Sequence, residues 1–174
     1  LEKQVGAGVR TDAFVATPER WKPDNDLAHL LWLLVHFRDH VAPVLAQVED
    51  PTAFSENDFV LDGMARLVMG EPFAEVLRWA EEAMPDLARI LSRAAAKEGL
   101  YKEEVAASAM RQVVARFDLR RVDGRIGAIQ REIRRCETTG DKSSYVAHAT
   151  ELGALLTKQV QLKRETTRRP GAPS

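Results

Sequence analysis

Apolar residues in the last third of the chain recur at a spacing that alternates between four and three positions. Because an α-helix turns once every 3.6 residues, this spacing places the apolar side chains on one narrow stripe. The first stripe consists of Val122, Ile126, Ile129, Ile133 and Cys136. The second consists of Tyr145, Ala149, Leu152, Leu156 and, at its end, Lys163. A short polar turn separates the two stretches, so we predict an antiparallel helical hairpin.

Three apolar residues of the second arm do not fit its predicted stripe: Leu155, Val160 and Leu162. We expect them to lie off the seam between the arms, where a partner can reach them. The first arm contains Gly124 and Gly127. Each glycine costs a helix about 1 kcal/mol relative to alanine, so we expect a hinge at the base of the hairpin.

The apolar pattern upstream of the hairpin predicts a helical bundle. Residues 27–35 are apolar on most of a helix circumference, and Asp26 can cap the start of that central helix. Pro43 limits residues 39–48 to a short second helix. Ser55 and Asp58 have the spacing of a capping box, and Phe54 and Phe59 that of a hydrophobic staple.

Glycine and proline divide the rest of the bundle. Gly70 is expected to end one helix, Pro72 and Pro85 to start the next two, and Gly99 to precede a long helix that leads into the hairpin. No segment alternates with period two, so we predict an all-α fold without a sheet. The expected organisation is a lead-in (1–25), a helical bundle (26–115), a hairpin (116–166) and a disordered tail (167–174).

The formal net charge of −1 conceals a strong polarity. The charge is −1 over residues 1–48, −7 over residues 49–104 and +7 over residues 105–174. An acidic middle and a basic end steer the approach of a partner. The longest apolar run is too short to span a bilayer and the start is no signal peptide, so we expect a soluble, cytoplasmic protein. Because the chain begins with Leu1, we also expect it to be cut from a longer protein.

Residue patterns that support catalysis are missing from the sequence. The chain has one cysteine, no glycine-rich phosphate loop and no nucleophile elbow. His36 and His40 have a zinc-compatible spacing, but no cysteine pair accompanies them, so we interpret them as polar histidines at the bundle rim. We therefore expect no enzyme activity, no metal and no cofactor in this chain.

Arginines crowd the first arm of the predicted hairpin, and three interpretations of them stay open. They form a solvated face, contact an acidic protein partner, or bind nucleic-acid phosphates. Acidic neighbours at helical spacing favour the first, and the absence of interleaved aromatic residues weighs against the last. The arginines are Arg120, Arg121, Arg125, Arg131, Arg134 and Arg135.

The order of these elements resembles the C-terminal helicase-binding domain of bacterial DNA primase of the DnaG type. The resemblance covers residues 26–165 and rests on DLAHLLWLLVHF, the FSENDF helix start, RFDLRRVDGRIGAIQREIRR, a GD turn and LLTKQVQLKRE. It implies a non-catalytic bundle and hairpin that dock on the N-terminal domain of the hexameric replicative helicase at the replication fork. The zinc and catalytic domains of a primase are absent from these 174 residues.

On that resemblance, we predict a helicase-binding surface on the hairpin and no direct contact with nucleic acid or membrane. Its expected members are Tyr145, Leu152, Leu155, Val160, Leu162, Arg131, Arg134 and Arg135. Two rival interpretations remain: the N-terminal domain of the replicative helicase itself, and a basic helical module that binds nucleic acid.

Overall fold

The computed structural model describes residues 21–99 and 101–168, and it is all-helical there. Within these residues there is no strand, which confirms the predicted all-α class. A single 3-10 turn, Pro51–Ala53, lies between the first two helices. The six α-helices are α1 (Asn25–Leu45), α2 (Asp58–Val68), α3 (Phe73–Ala83), α4 (Pro85–Ala96), α5 (Glu103–Thr139) and α6 (Lys142–Thr167).

Helix α1 is the centre of the bundle, as its apolar circumference predicts. Its five consecutive residues from Leu30 to Leu34 are all buried, because α2, α4 and α5 pack around it. The helix is capped by Asp24, whose carboxylate accepts a hydrogen bond of 2.7 Å from the Leu27 amide. Asp26 lies in the first turn and does not cap it.

Helix α1 bends at Phe37, where the backbone leaves helical geometry. The helix resumes at once, so Pro43 lies inside a helical segment and residues 39–45 continue α1. Proline removes the hydrogen bond to the carbonyl four residues earlier. That carbonyl belongs to Asp39, which is exposed, so water can satisfy it.

The predicted start of α2 is wrong in detail. Asn57 caps the helix by accepting a hydrogen bond from the Phe59 amide at 3.0 Å, while Ser55 bonds only the Asn57 amide. Phe54 is buried edge-on against Phe117 of α5 at 5.0 Å, and Phe59 is half exposed. Because Phe54 is buried against Phe117 and Phe59 faces solvent, the predicted hydrophobic staple does not form.

The predicted boundaries between α2, α3 and α4 are confirmed. Gly70 follows α2 with a positive φ of 91°, a conformation that glycine adopts without strain. Pro72 immediately precedes α3, and Pro85 is the first residue of α4. Gly63 lets the bundle close, because a Cβ there would lie 3.1 Å from Cδ2 of Leu87.

Helices α5 and α6 form the predicted antiparallel hairpin and share the most extensive helix contact in the described chain. Helix α5 has 37 residues and is about 55 Å long at 1.5 Å per residue. It is continuous through Gly124 and Gly127, so the helix is not interrupted at the position of the expected hinge. Helix α5 packs on both α1 and α6.

Two separate hydrophobic clusters divide along α5. The large bundle cluster includes Ala109, Val113 and Phe117 of this helix. The small hairpin cluster includes Val122 and Ile126. Trp21 packs on the bundle, and its amide donates a 2.9 Å hydrogen bond to Asp86. Residues 1–20 of the predicted lead-in and residues 169–174 of the predicted tail lie outside the described residues.

Candidate interaction surface on the hairpin

The contact between α5 and α6 uses the predicted stripe of the first arm. All five members of that stripe are buried or half-buried, which confirms it. In the second arm the stripe is displaced. Leu162 is buried at 7% exposure against Val122 and Ile126, and Leu152 and Leu155 pack against the same cluster.

The displaced stripe corrects the predicted role of six residues. Leu155 and Leu162 are part of the seam and were expected outside it. Four residues that were expected inside the seam are exposed: Tyr145, Ala149, Leu156 (43%) and Lys163. About a quarter of a helical turn separates the two arrangements, because Leu155 and Leu156 differ by about 100° around a helix. Val160 lies off the seam, as predicted.

The turn between the two arms is held by local hydrogen bonds. Gly140 has a φ of 74°, and its amide and that of Asp141 both donate to the Cys136 carbonyl, which ends α5. Asp141 caps α6 by accepting hydrogen bonds from the Ser144 hydroxyl at 2.6 Å and the Ser144 amide at 3.1 Å. These bonds lower the pKa of Asp141. The two arms are therefore joined by a short, ordered turn.

One flank of α6 is apolar and exposed, and it forms what we call the outer flank. Four of the six exposed large apolar residues in the described chain lie in α6. Successive members are three or four residues apart, so they share one side of the helix. The outer flank consists of Val146, Ala149, Gly153, Leu156 and Val160, with Tyr145 at its edge.

Gly153 lies in the middle of the outer flank without a structural need for glycine. A Cβ built on Gly153 meets nothing within 4 Å, and the residue has no positive φ. Glycine inside a helix nevertheless costs about 1 kcal/mol relative to alanine. The cost is therefore not offset by packing within the described chain.

Two polar contacts between the arms establish which faces of α5 and α6 lie side by side. Arg125 pairs with Glu151 at 2.7 Å along one edge of the seam. The Gln159 amide donates a 2.6 Å hydrogen bond to Asp123 along the other edge. Helical spacing puts the outer flank on the Gln159 edge and Glu151 on the opposite edge. The hairpin thus has one face that is rich in apolar surface and one that is charged.

The arginines near the base of the hairpin bind the bundle of the same chain. Arg116 pairs with Asp26, and Arg120 pairs with Asp24 at 3.1 Å and Asp26 at 3.2 Å. Arg121 reaches Asp50 at 3.3 Å. These three side chains therefore attach α5 to the start of α1 and to the residue that precedes the 3-10 turn, and they are not a free basic surface.

The cations beyond the base of the hairpin have few partners. Arg135 has only a long pair of 3.9 Å with Glu132, and Arg134 bonds only the carbonyl of Gln130. Six hairpin cations make no ion pair with any residue that the structure describes. They are Arg131, Arg134, Lys142, Lys158, Lys163 and Arg164.

The histidines in the zinc-compatible spacing have separate roles. His36 bonds the Ala94 carbonyl through Nε2 at 2.8 Å, and His40 contacts Glu103 at 2.6 Å. Among residues 21–99 and 101–168, no three His, Cys, Asp or Glu side chains are placed to hold a metal ion together. Cys136 is buried in the hairpin seam.

His29 connects the bundle to α5 and predicts a pH effect on stability. Arg116 donates to its Nδ1 at 3.4 Å, and its ring stacks on Tyr101 at 5.3 Å. Burial lowers the pKa of His29 below its ordinary value of 6.5, and the positive charge of Arg116 is the second cause of this shift. The unfolded chain therefore takes up this proton at a higher pH than the folded chain, and stability falls as the pH drops below about 6.5.

A His29→Phe variant tests this effect, because phenylalanine keeps the contact with Tyr101 and cannot titrate. We expect the free energy of unfolding by urea to decline less between pH 7 and pH 5 in the variant than in the wild type. Equal declines in the two proteins would show that His29 does not contribute.

Comparison of the chain with protein-family models, curated proteins and solved structures gave no match. No helix in the described part of the chain is both long enough and apolar enough to cross a lipid bilayer.

Proposed function

We propose that this chain is a non-catalytic protein-interaction domain that binds the replicative DNA helicase through the outer flank of its hairpin. In this proposal it is the C-terminal domain of a bacterial DNA primase and couples primer synthesis to the replication fork in the cytoplasm. The observation that carries the proposal is an exposed apolar surface on a hairpin whose own seam is already closed. Apolar surface that is left over after folding is typical of a site that another protein covers.

The arrangement of the molecule fits this role. Ion pairs from α5 to Asp24, Asp26 and Asp50 join the base of the hairpin to the bundle, and the outer flank lies on the arm packed against α5. Of the residues proposed from the sequence, Tyr145 and Val160 belong to the surface itself and Leu152 borders it. Leu155 and Leu162 support it from the seam.

The three distal arginines are proposed as the charged margin of the site. Arg131, Arg134 and Arg135 lie on the half of α5 that projects beyond the bundle, and their side chains are exposed. An acidic surface on the helicase would complement them and accelerate encounter more than it would strengthen the complex.

Gel filtration of the chain with the hexameric helicase of the same organism tests the proposed function. At low salt we expect the chain to elute with the hexamer. A chain that elutes alone beside an intact hexamer would refute the proposal.

A nucleic-acid-binding function is the second candidate, and the unpaired hairpin cations favour it. Titration with single-stranded DNA at two salt concentrations separates the two functions, because phosphate contacts make affinity fall steeply with salt. We expect no binding at physiological salt. Tight, salt-sensitive binding by a chain that does not join the helicase would establish the second candidate.

A further inference from the structure

We propose that the outer flank receives one amphipathic α-helix of the helicase, which crosses α6 most closely at Gly153 and has acidic residues at both ends of its apolar face. This inference rests on the proposed function and adds the form, the position and the charge of the partner element. Three features of the outer flank support it: its length, its central gap and the charges at its ends.

The length and shape of the outer flank fit a helix. From Val146 to Val160 it spans about four helical turns, or roughly 21 Å at 1.5 Å per residue. It presents large side chains at both ends, with Val146 at one end and Leu156 and Val160 at the other. An amphipathic helix that contributes an apolar residue every three or four positions matches such a surface.

The centre of the outer flank allows the close approach of a second backbone. Ala149 and Gly153 lie one turn apart, both exposed, between the larger side chains. The distance between two packed helices depends on the side chains at their contact. Since no atom of the chain lies within 4 Å of a Cβ on Gly153, the space above this glycine is open to a partner.

Cations lie at both ends of the outer flank. Lys142 precedes it, and Lys163 and Arg164 follow it, all exposed and without ion pairs in the described residues. Glu151 is the only acidic residue between positions 142 and 164, and its carboxylate is bonded to Arg125 at the opposite edge of the seam. An acidic partner therefore meets attraction at both ends of the flank.

Two glycines provide a matched test of the close approach. Gly124 and Gly153 are both exposed helical residues whose Cβ would meet nothing within 4 Å, but only Gly153 lies on the outer flank. We expect Gly153→Leu to weaken binding to the helicase at least tenfold and Gly124→Leu to change it less than twofold. Circular dichroism should show both variants folded, and binding is measured by fluorescence anisotropy of the labelled chain.

The outcomes separate this inference from the proposed function. If the wild-type chain does not bind the helicase, the proposed function fails and the inference fails with it. If the wild type binds and Gly153→Leu binds equally well, only the inference is overturned. Sedimentation velocity is run on the chain alone, because a dimer that Gly153→Leu abolishes would make a second copy the occupant and would also overturn the inference.

A charge reversal tests the acidic ends of the partner helix. We expect the double variant Lys142→Glu and Lys163→Glu to bind at least tenfold more weakly at low salt and to lose most of the salt dependence of binding. Lys158→Glu is the control, since Lys158 is exposed on the opposite side of α6. An equal loss in the control would show that only the overall charge of the hairpin matters.

Discussion

Replacing both Leu156 and Val160 with aspartate should lower the affinity for the helicase at least 100-fold. The two side chains are 43% and 48% exposed, so the folded chain depends little on them. In a complex they would be covered, and the variant would have to bury two carboxylates without partners. A 100-fold change corresponds to about 2.7 kcal/mol, which two such substitutions within an interface readily exceed.

The double aspartate variant must be shown to keep its fold. We expect its helicity and its thermal midpoint to stay close to those of the wild type, because both positions face solvent. The control variant replaces Lys158 and Gln161, two exposed residues away from the outer flank, with aspartate. Binding that survives in the Leu156 and Val160 variant would remove the outer flank from the interface.

Replacing Leu162 with alanine should destabilise the hairpin by about 2–4 kcal/mol while leaving the bundle intact. Leu162 is the only buried residue that α6 contributes to the small cluster with Val122 and Ile126. Large-to-small substitutions at buried leucines cost this much because they lose apolar contact and leave a cavity. The effect should remain local, because the hairpin and bundle clusters are separate.

Native-state hydrogen exchange measures this effect segment by segment. In the Leu162→Ala variant we expect amides of α6 and the distal half of α5 to exchange faster, by a factor that corresponds to the lost free energy. Amides of α1 should keep their protection. Leu156→Ala is the control, and an equal effect of the two substitutions would contradict the seam that the structure shows.

The sequence predicts correctly which residues of the first hairpin arm form the seam, but it does not do so for the second arm. In α5 one apolar stripe stands out, because arginines and other polar residues occupy most of the remaining circumference. In α6 two apolar stripes overlap at Leu152, one through Leu156 and one through Leu155 and Leu162. Periodicity alone cannot choose between them. The choice depends on contacts with α5, including the pairs that Arg125 and Asp123 make across the seam.

Local conformational preferences are also a poor guide to the fold where tertiary contacts outweigh them. Gly124 and Gly127 weaken α5 locally, yet their combined cost is only about 2 kcal/mol and the helix is continuous there. The free energy that α5 gains by packing on α1 and on α6 exceeds this cost. Phe54 shows the same effect at α2, since its burial against Phe117 outweighs the staple that the local sequence favours.

Long-range ion pairs account for the remaining difference between the predicted and the observed surface. Helical spacing finds the pair of Arg121 with Asp118, but it cannot find the pairs of Arg120 with Asp24 or of Arg121 with Asp50. These contacts join residues that are more than 70 positions apart. They divide the arginines of α5 into a basal group that holds the hairpin on the bundle and a distal group that is left exposed.

Site-specific photocrosslinking tests most directly whether the outer flank is the surface that meets the helicase. Benzoylphenylalanine is placed at Val160 in one variant and at Lys158 in another, so that the probe lies on opposite sides of the same helical turn. We predict a crosslink to the helicase N-terminal domain from position 160 and none from position 158. Equal crosslinking from both positions, or none from position 160 in a mixture that elutes as a complex, would contradict the proposed interface.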